Sequence, residues 1–427
     1  MRNKQLLYSL AIAGISLGTA WAIRGHFGHT YGAAWAGSII AIVIVLLARR
    51  SDWYAKVFPL ALASAAGWGI GGIISYGIVV GYGRSTDFTN AYYGFLMLFV
   101  IGGLFGLLGG GLFGLTLADQ PSKPVKWHRL LTEMTAGSVV FYYLFTEELG
   151  WLMTPPRSEA WAACVGMMVA MFWYMLRHQQ FGAIRIAIFA GLGAGFGFSF
   201  GNFLQVMGSV SGIHFNFWNV MEYSIGFFGG AGMAYGTFTA QWPEGRQDVH
   251  KHKLIVPLGI ILLVVPFWVW QQSFSTERIG NILTSIEGLS DIHTFTSFSQ
   301  WGSFLLLIAA AGYWFYYFFK KQKSDLVFIY YPDIFRFLVS HLTLYAVFSI
   351  LITGAYVSFY RIEQYLYLVN IVALSVLISK LHPDFSPKRI DIKRWITNFI
   401  FILIVIALFT AVAISSHEEL AYSQTRF

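Results

Sequence analysis

Thirteen apolar runs, each about as long as a membrane-spanning helix, dominate this sequence. A helix that crosses a bilayer needs about 20 mostly apolar residues. Only 11% of the 427 residues are charged and 56% are hydrophobic, whereas soluble proteins carry about 25% charged residues. The sequence predicts an all-α, polytopic membrane bundle with spans at approximately 5–24, 33–49, 57–81, 91–117, 131–151, 159–177, 183–206, 217–240, 254–272, 301–320, 333–359, 363–380 and 395–415.

The distribution of basic residues agrees with this number of spans. With a cytoplasmic N-terminus, 22 of the 28 Lys and Arg residues fall in inner segments and six in outer ones. Cytoplasmic loops of membrane proteins carry such an excess. The pattern predicts a multi-pass, N-in and C-out protein of a bacterial-type plasma membrane. Because the charges that make up the net +8 are scattered over short turns, they indicate topology and argue against a nucleic-acid partner.

Two parts of the chain repeat each other. The Ala-Trp-Ala motif at 34–36 returns at 160–162, and the glycine ladder at 67–77 returns at 191–201. A pair of adjacent glycines, Gly102 and Gly103, is echoed in the same way by Gly229 and Gly230. Each copy holds four predicted spans, and an even number returns the chain to its starting side. We therefore expect two parallel repeats, 1–120 and 130–242, and then a five-helix part, 254–427. Since 131–151 repeats the first run, that run is interpreted as a retained span and not as a cleaved signal.

The glycine ladders are unusual for helices. Their glycines recur at every second residue, as in Gly67, Gly69 and Gly71, whereas helix contacts favour spacings of three or four. One interpretation is a broken helix that lines a cavity, where free backbone groups find partners. The other is a continuous helix crowded by neighbours on several sides. The sequence leaves both open.

Polar residues near the predicted outer ends of the repeats form the candidate site. Such groups are costly within a membrane and are often functional. The first outer turn contains Arg24, His26 and His29, and the matching turn of the second copy begins near Glu147 and Glu148. Around a pseudo-two-fold axis these two turns would face each other. The other candidate binding residues are Ser75, Arg84, Asp87, Ser199, Asn202, His214 and Glu222.

Three interpretations of this cluster remain open. In a solute site, Arg24 and Arg84 would hold an anionic group, since arginine suits carboxylate and phosphate, and a carboxylate would handle protons or a cation. In a catalytic site, Glu147 or Glu148 would act as base with His26 as partner. In a structural site, Arg24 would pair with Glu147 or Glu148 and lock the repeats together.

Other chemistry has little support in the sequence. The single cysteine, Cys164, lies in an apolar run, so it forms neither an internal disulfide nor a thiolate cage. The spacing of His26 and His29 lacks an HExxH motif or a cysteine partner, and no metal site is predicted. The ladders have no nearby lysine and no preceding strand, which argues against a phosphate-binding loop. No cofactor is assigned.

The leading hypothesis is a secondary transporter or channel-like permease for a small polar or anionic solute, with its site between the repeats near the outer face. One alternative is a membrane-embedded transferase or hydrolase that acts on a lipid-linked or envelope substrate at the outer leaflet. A second alternative is a scaffold subunit of a membrane complex. The end of the chain, 417–427, is expected to be a frayed tail, and Arg361 and Glu363 are expected to form a local pair.

Overall fold

The computed structural model describes residues 2–27, 29–155, 159–245, 249–284, 286, 289, 291–320, 324–388 and 391–427, without the side chains of residues 2, 3 and 29. It is 78% helical, and the described residues include no strand. The α-helices are α1 (Arg2–Arg24), α2 (His29–Ala48), α3 (Ser51–Tyr54), α4 (Val57–Gly71), α5 (Gly77–Tyr82), α6 (Phe88–Ala118), α7 (Trp127–Tyr142), α8 (Ala160–Arg177), α9 (Phe181–Val210), α10 (Phe217–Phe238), α11 (Lys251–Gly259), α12 (Val265–Ser273), α13 (Thr276–Thr284), α14 (Ile292–Phe315), α15 (Tyr331–Thr353), α16 (Ile362–Leu377) and α17 (Ile392–Ser416).

Short irregular helical turns extend several of these helices. A π-helical turn, Tyr143–Glu148, continues α7, and a second, Ile260–Val264, joins α11 to α12. A third π-helical turn, Tyr316–Lys320, ends α14, and a 3₁₀ turn, Ile378–Lys380, ends α16.

Within the described residues, ten helical segments are long and apolar enough to cross a membrane. This confirms the prediction of a multi-pass membrane protein. Of the other predicted runs, α4 has 15 residues and α7 has 16, which is short for a span, while α10 carries Asn219 and Glu222. The total of thirteen spans stays a prediction.

Six helices form a closed ring in the order α1, α2, α4, α6, α9, α10 and back to α1. Neighbours in the ring run antiparallel, as the contacts between α1 and α10 illustrate: Gly14 lies against Phe227 and Gly25 against Glu222. Outside the ring, α7 and α8 pack on each other, and α15 and α16 pack against α1. The helix α17 lies against α6 and α9 and is the least buried of the ten candidate spans in the described residues.

Aromatic side chains fill the interior of the ring. Trp68 of α4 touches Gly109 of α6, Gly229 of α10 and Gly37 of α2, and its ring meets that of Trp21 edge to face, with centroids 5.0 Å apart. The series continues through Phe105 and Phe198, which are also fully buried. These four buried aromatic side chains therefore occupy the middle of the ring of helices.

The two glycine ladders have different outcomes. The second lies in α9, which is continuous; Gly191 and Gly195 face α6, while Gly193 and Gly197 face α10. A spacing of two places successive glycines on opposite sides of a helix, so two neighbours approach closely at once. In α4, Gly67 and Gly71 face α6 while Gly69 faces α2. Here, however, the predicted span 57–81 is interrupted after Gly71 and resumes at α5.

Two segments outside the predicted spans have structure in their described residues. Between the predicted spans 254–272 and 301–320 lies α13, a short amphipathic helix with Ile279 and Leu283 buried. The end of the chain is a docked strap: the backbone N–H groups of Arg426 and Phe427 both donate to Asn90 Oδ1, at 2.6 and 3.0 Å, and that of Gln424 donates to Gly81 O at 3.0 Å. The prediction of a frayed tail is wrong because these contacts anchor it to α5 and α6.

Candidate functional site

A buried ion pair joins the end of α1 to α10. Arg24, the last residue of α1, donates from Nη1 to Glu222 Oε2 over 3.0 Å, and only 1% and 6% of the two side chains are exposed. Arg24 also donates to the Tyr76 hydroxyl at 2.8 Å, and Tyr76 donates to Glu222 Oε1. The guanidinium lies 4.8 Å from the ring centroid of Trp21. Such a pair is stable in a dehydrated setting only when its remaining donors and acceptors are satisfied, which Tyr76 helps to achieve.

Small residues allow these side chains to meet. A Cβ at Gly25 would lie 3.3 Å from Glu222 Cγ, and a Cβ at Gly32 would lie 2.9 Å from Arg24 Cγ. Tyr345 closes the other side of Gly32 by donating to its carbonyl at 2.9 Å. Tyr76 is the last residue of the break between α4 and α5, so irregular backbone and not a continuous helix positions its side chain.

A cavity of about 620 Å³ lies above this triad. Its floor includes Tyr76 and Glu222, which are buried, while Ser75 and Gly77 at its edge are exposed. The wall is completed by α13, by the end of α15 and by Arg361, which precedes α16. Asn216, Trp218 and Asn219, at the start of α10, form the remaining side. The cavity is thus a polar pocket that is open at one end of the ring and ends at the ion pair.

His26 lines the cavity as a neutral ring. Its Nε2 lies 2.9 Å from Gln364 Nε2 and 3.2 Å from the Tyr367 hydroxyl. Gln364 is oriented because its Oε1 accepts from Ser349 Oγ at 2.7 Å, so the amide donates to His26. Burial of the ring, together with the positive charges of Arg361 and Arg278, lowers the pKa of His26 to about 3. At neutral pH the ring is therefore a hydrogen-bond acceptor and not a cation.

Two further arginines face the cavity. Arg278 of α13 donates to the carbonyl of His26 at 2.8 Å, and the ion pairs of the described chain include no carboxylate partner for it. Arg361 contacts Glu363 at 3.5 Å, as the predicted local pair, and Glu363 also accepts from Asn216 Nδ2 at 3.0 Å. With Arg24 matched by Glu222, Arg278 leaves the cavity with a positive charge.

Three of the predicted site residues, His26, Ser75 and Glu222, line this cavity, and Arg24 lies beneath it in contact with Glu222. The side chain of His29 lies outside the described residues. Among the described residues no group of three His, Cys, Asp or Glu side chains is placed to hold a metal ion.

The expected pairing of Arg24 with Glu147 or Glu148 is replaced by the pairing with Glu222. Both glutamates lie in the π-helical turn after α7, and their side chains are exposed. The reason is the order of the ring, in which the neighbour of α1 is α10 and α7 lies outside. The proposed catalytic group of Glu147, Glu148 and His26 is not assembled by these contacts.

Five other predicted residues have positions outside the cavity. Arg84 donates to Ala421 O in the strap at 2.8 Å, and Asp87 caps α6 by accepting from the Asn90 N–H at 2.8 Å. Ser199 is buried and donates to Phe95 O at 2.6 Å, while Asn202 donates to Gln205 Oε1 at 3.0 Å. His214 is exposed.

Tyr76 and most of the C-terminal residues of the site were not among the residues predicted from the sequence. Tyr76 was part of the first glycine ladder, where the second ladder has Phe200, and this added hydroxyl was a usable signal. Asn219 donates to Ala22 O at 3.1 Å and to the Tyr367 hydroxyl. Gln364, Tyr367 and Arg278 lie in the part of the chain without repeats, so no internal comparison pointed to them.

Comparison of the chain with known protein families, curated proteins and solved structures found no match.

Proposed function

We propose that this protein is a secondary transporter of a small anionic solute, and that the cavity above Arg24, Tyr76 and Glu222 is its substrate site. The observation that supports this most is the position of a polar cavity at a helix break, directly above a buried ion pair. Transporters commonly build solute sites from discontinuous helices, whose free backbone groups and dipoles face the ligand.

The charges of the cavity favour an anion. Arg278 faces the cavity without a carboxylate partner in the described chain, and its planar guanidinium suits bidentate recognition of carboxylate or phosphate. Asn216 and Asn219 add amide groups to the same wall. A cavity of about 620 Å³ falls within the usual size range of small-molecule sites.

The closed interior favours a carrier over a permanent pore. Trp21, Trp68 and Phe105 occupy the ring beyond the ion pair and are fully buried. A solute in the cavity would therefore reach the other side only after a conformational change. Glu222 is suited to couple that change to protons or cations, because its charge holds Arg24 and Tyr76 in place.

The proposal includes an orientation of the protein in the membrane. The opposite end of the ring carries Arg49, Arg50, Lys123, Arg185 and Lys388 around shared pockets. In the topology inferred from the basic residues, that end is cytoplasmic, and the cavity opens to the outside of a plasma membrane.

Uptake into proteoliposomes tests the proposal. A panel of small carboxylates and inorganic anions is offered under a proton gradient, a cation gradient and a membrane potential. For a transported anion, Arg278→Gln should weaken the apparent affinity at least about tenfold, the loss expected for one charge-assisted contact, and Glu222→Gln should abolish gradient coupling. The matched controls are Arg129→Gln and Glu148→Gln, since both side chains are exposed and away from the cavity. Absence of uptake for every anion and gradient, or equal losses in the controls, contradicts the proposal.

A further inference from the structure

A second, smaller pocket lies at the opposite end of the bundle, where the start of α9, the end of α10 and the start of α17 converge. Its volume is about 420 Å³, and it is lined by Arg185, Phe189, Tyr235, Lys388, Asp391, Arg394, Trp395 and Asn398. It shares no residue with the cavity around Glu222.

The cations of this pocket are held by the protein fold. Arg185 is buried, with 4% exposed; its Nε donates to Thr239 Oγ1 at 2.7 Å, and its guanidinium lies 4.9 Å from the ring centroid of Phe189. Lys388 is fixed through its backbone, whose N–H donates to Thr239 O at 3.0 Å, and its Nζ donates to the Tyr235 hydroxyl at 3.2 Å. The positions of both charges are therefore set before any ligand binds.

The charges in the pocket do not cancel. In the described chain, Arg185, Lys388 and Arg394 form no ion pair with a carboxylate. The acidic residue of the pocket is Asp391, whose Oδ1 accepts the backbone N–H of Arg394 at 3.1 Å and caps α17. Three cations against one carboxylate leave a positive pocket that also offers the Tyr235 hydroxyl and the Asn398 amide.

The pocket lies at one end of a candidate membrane span. Arg394, Trp395 and Asn398 belong to the first two turns of α17, an apolar helix that is mostly exposed at the surface of the protein. Tryptophan is enriched at membrane–water interfaces, and basic pockets between the ends of spanning helices bind phosphate-bearing lipid headgroups.

We infer that Arg185, Lys388 and Arg394 form a binding site for a phosphate group, carried by an anionic phospholipid or free in solution. Arginine binds phosphate oxygens in a bidentate manner, and lysine adds a point charge. Occupation of the site would tie α17 to α9 and α10 through the ligand, without involving the cavity at the other end.

Equilibrium binding to the purified full-length protein tests this inference. The three probes are a short-chain phosphatidylglycerol, the matching phosphatidylcholine and inorganic phosphate, each titrated at fixed ionic strength. The variant Arg185→Gln/Lys388→Gln/Arg394→Gln should bind the anionic lipid at least about tenfold more weakly, since it removes all three positive charges that attract the phosphate group. The control Lys126→Gln/Arg129→Gln/Lys253→Gln removes the same charge from exposed positions elsewhere and should bind within about twofold of the wild type.

If phosphatidylglycerol binds more tightly than inorganic phosphate, the ligand of the site is a lipid headgroup. If the two bind with equal affinity, free phosphate is sufficient as the ligand. Either result supports the site. Equal binding by the wild type and the triple variant, equal losses in the control, or no binding of either anion overturns it. Because Arg185 is buried, the triple variant could fail to fold for structural reasons. In that case the double variant Lys388→Gln/Arg394→Gln, which changes two exposed side chains, replaces it. Its affinity for the anionic lipid should fall by less than that expected for the triple variant.

Discussion

Arg24 and Glu222 are 198 positions apart in the chain, yet their side chains form a 3.0 Å ion pair that is almost completely buried. The pair joins α1 to α10 and so closes the six-helix ring at its cavity end. Removing one partner of a buried pair leaves an uncompensated charge, which costs about 3–5 kcal/mol. These two residues therefore hold the ring of helices together at the end where the cavity lies.

Glu222→Gln should lower the free energy of unfolding by roughly 3 kcal/mol, because Arg24 loses its counter-charge while remaining buried. Thermal unfolding in mild detergent measures this. The double variant Glu147→Gln/Glu148→Gln is the control and should change stability by less than about 0.5 kcal/mol, since both side chains are exposed. A Glu222→Gln protein as stable as the wild type would show that the ion pair contributes little.

Tyr76→Phe separates the hydroxyl from the ion pair. The change removes one donor to Glu222 and one acceptor for Arg24 while the charges stay, so a loss of about 1–3 kcal/mol is expected. If the pair couples transport, the variant should retain uptake with altered dependence on pH. Tyr365→Phe is the matched control, because its hydroxyl donates to the Ala355 carbonyl away from the ion pair.

Gly32→Ala should disturb the site through packing alone. The added Cβ would lie 2.9 Å from Arg24 Cγ and 3.2 Å from the Tyr345 hydroxyl, and overpacking of this kind costs about 1–3 kcal/mol. Gly312→Ala in α14 meets nothing within 4 Å and should be neutral or slightly stabilising, since alanine favours helices. Comparison of the two unfolding midpoints tests the close approach, and equal midpoints would argue against it.

His26 predicts a specific acid sensitivity. Its pKa is about 3 in the folded protein and about 6.5 in an unfolded chain, so the unfolded state binds more protons between these values. Stability should therefore rise with pH across this window, and acidification from pH 6.5 to 5 should cost about 1–2 kcal/mol more in the wild type than in His26→Gln. Unfolding midpoints at both pH values provide the measurement, with the exposed His128→Gln as control. Identical pH profiles for all three proteins would exclude the role of His26.

Asn90→Ala should release the C-terminal strap. Asn90 Oδ1 accepts the N–H groups of both Arg426 and Phe427, and the loss of the acceptor leaves these donors without it. Hydrogen–deuterium exchange of residues 420–427 should accelerate at least about tenfold if roughly 1.4 kcal/mol of protection is lost. The exposed Asn281→Ala should leave this exchange unchanged. Rapid exchange already in the wild type would mean that Asn90 does not hold the strap in place.

The sequence predicted the helical membrane class because low charge and long apolar runs are visible in the residues themselves, without knowledge of how helices pack. It also selected Arg24 and Glu222 individually, since charges at the ends of apolar runs are conspicuous. It assigned Arg24 the wrong partner, because the choice between Glu148 and Glu222 depends on whether α7 or α10 neighbours α1. That neighbour relation arises from helix packing and has no local signal.

The glycine ladders also show that a local pattern does not determine whether a helix continues. Similar spacing produced a continuous α9 and an interrupted span after Gly71. In α9, close neighbours on two faces hold the helix, whereas the stretch after Gly71 ends beside an open cavity. A local pattern indicates where a helix can be approached closely, and the surroundings decide whether it continues.

The aromatic filling of the ring has a kinetic consequence. Trp21 and Trp68 meet edge to face at the centre of the bundle, and neither indole N–H has a hydrogen-bond partner among the described groups. A solute that crosses the bundle through the middle of the ring of helices would require the side chains of Trp21 and Trp68 to move aside. For the proposed carrier, flux should therefore saturate at the rate of that rearrangement, which typically takes microseconds to milliseconds per event, and no single-channel current is expected.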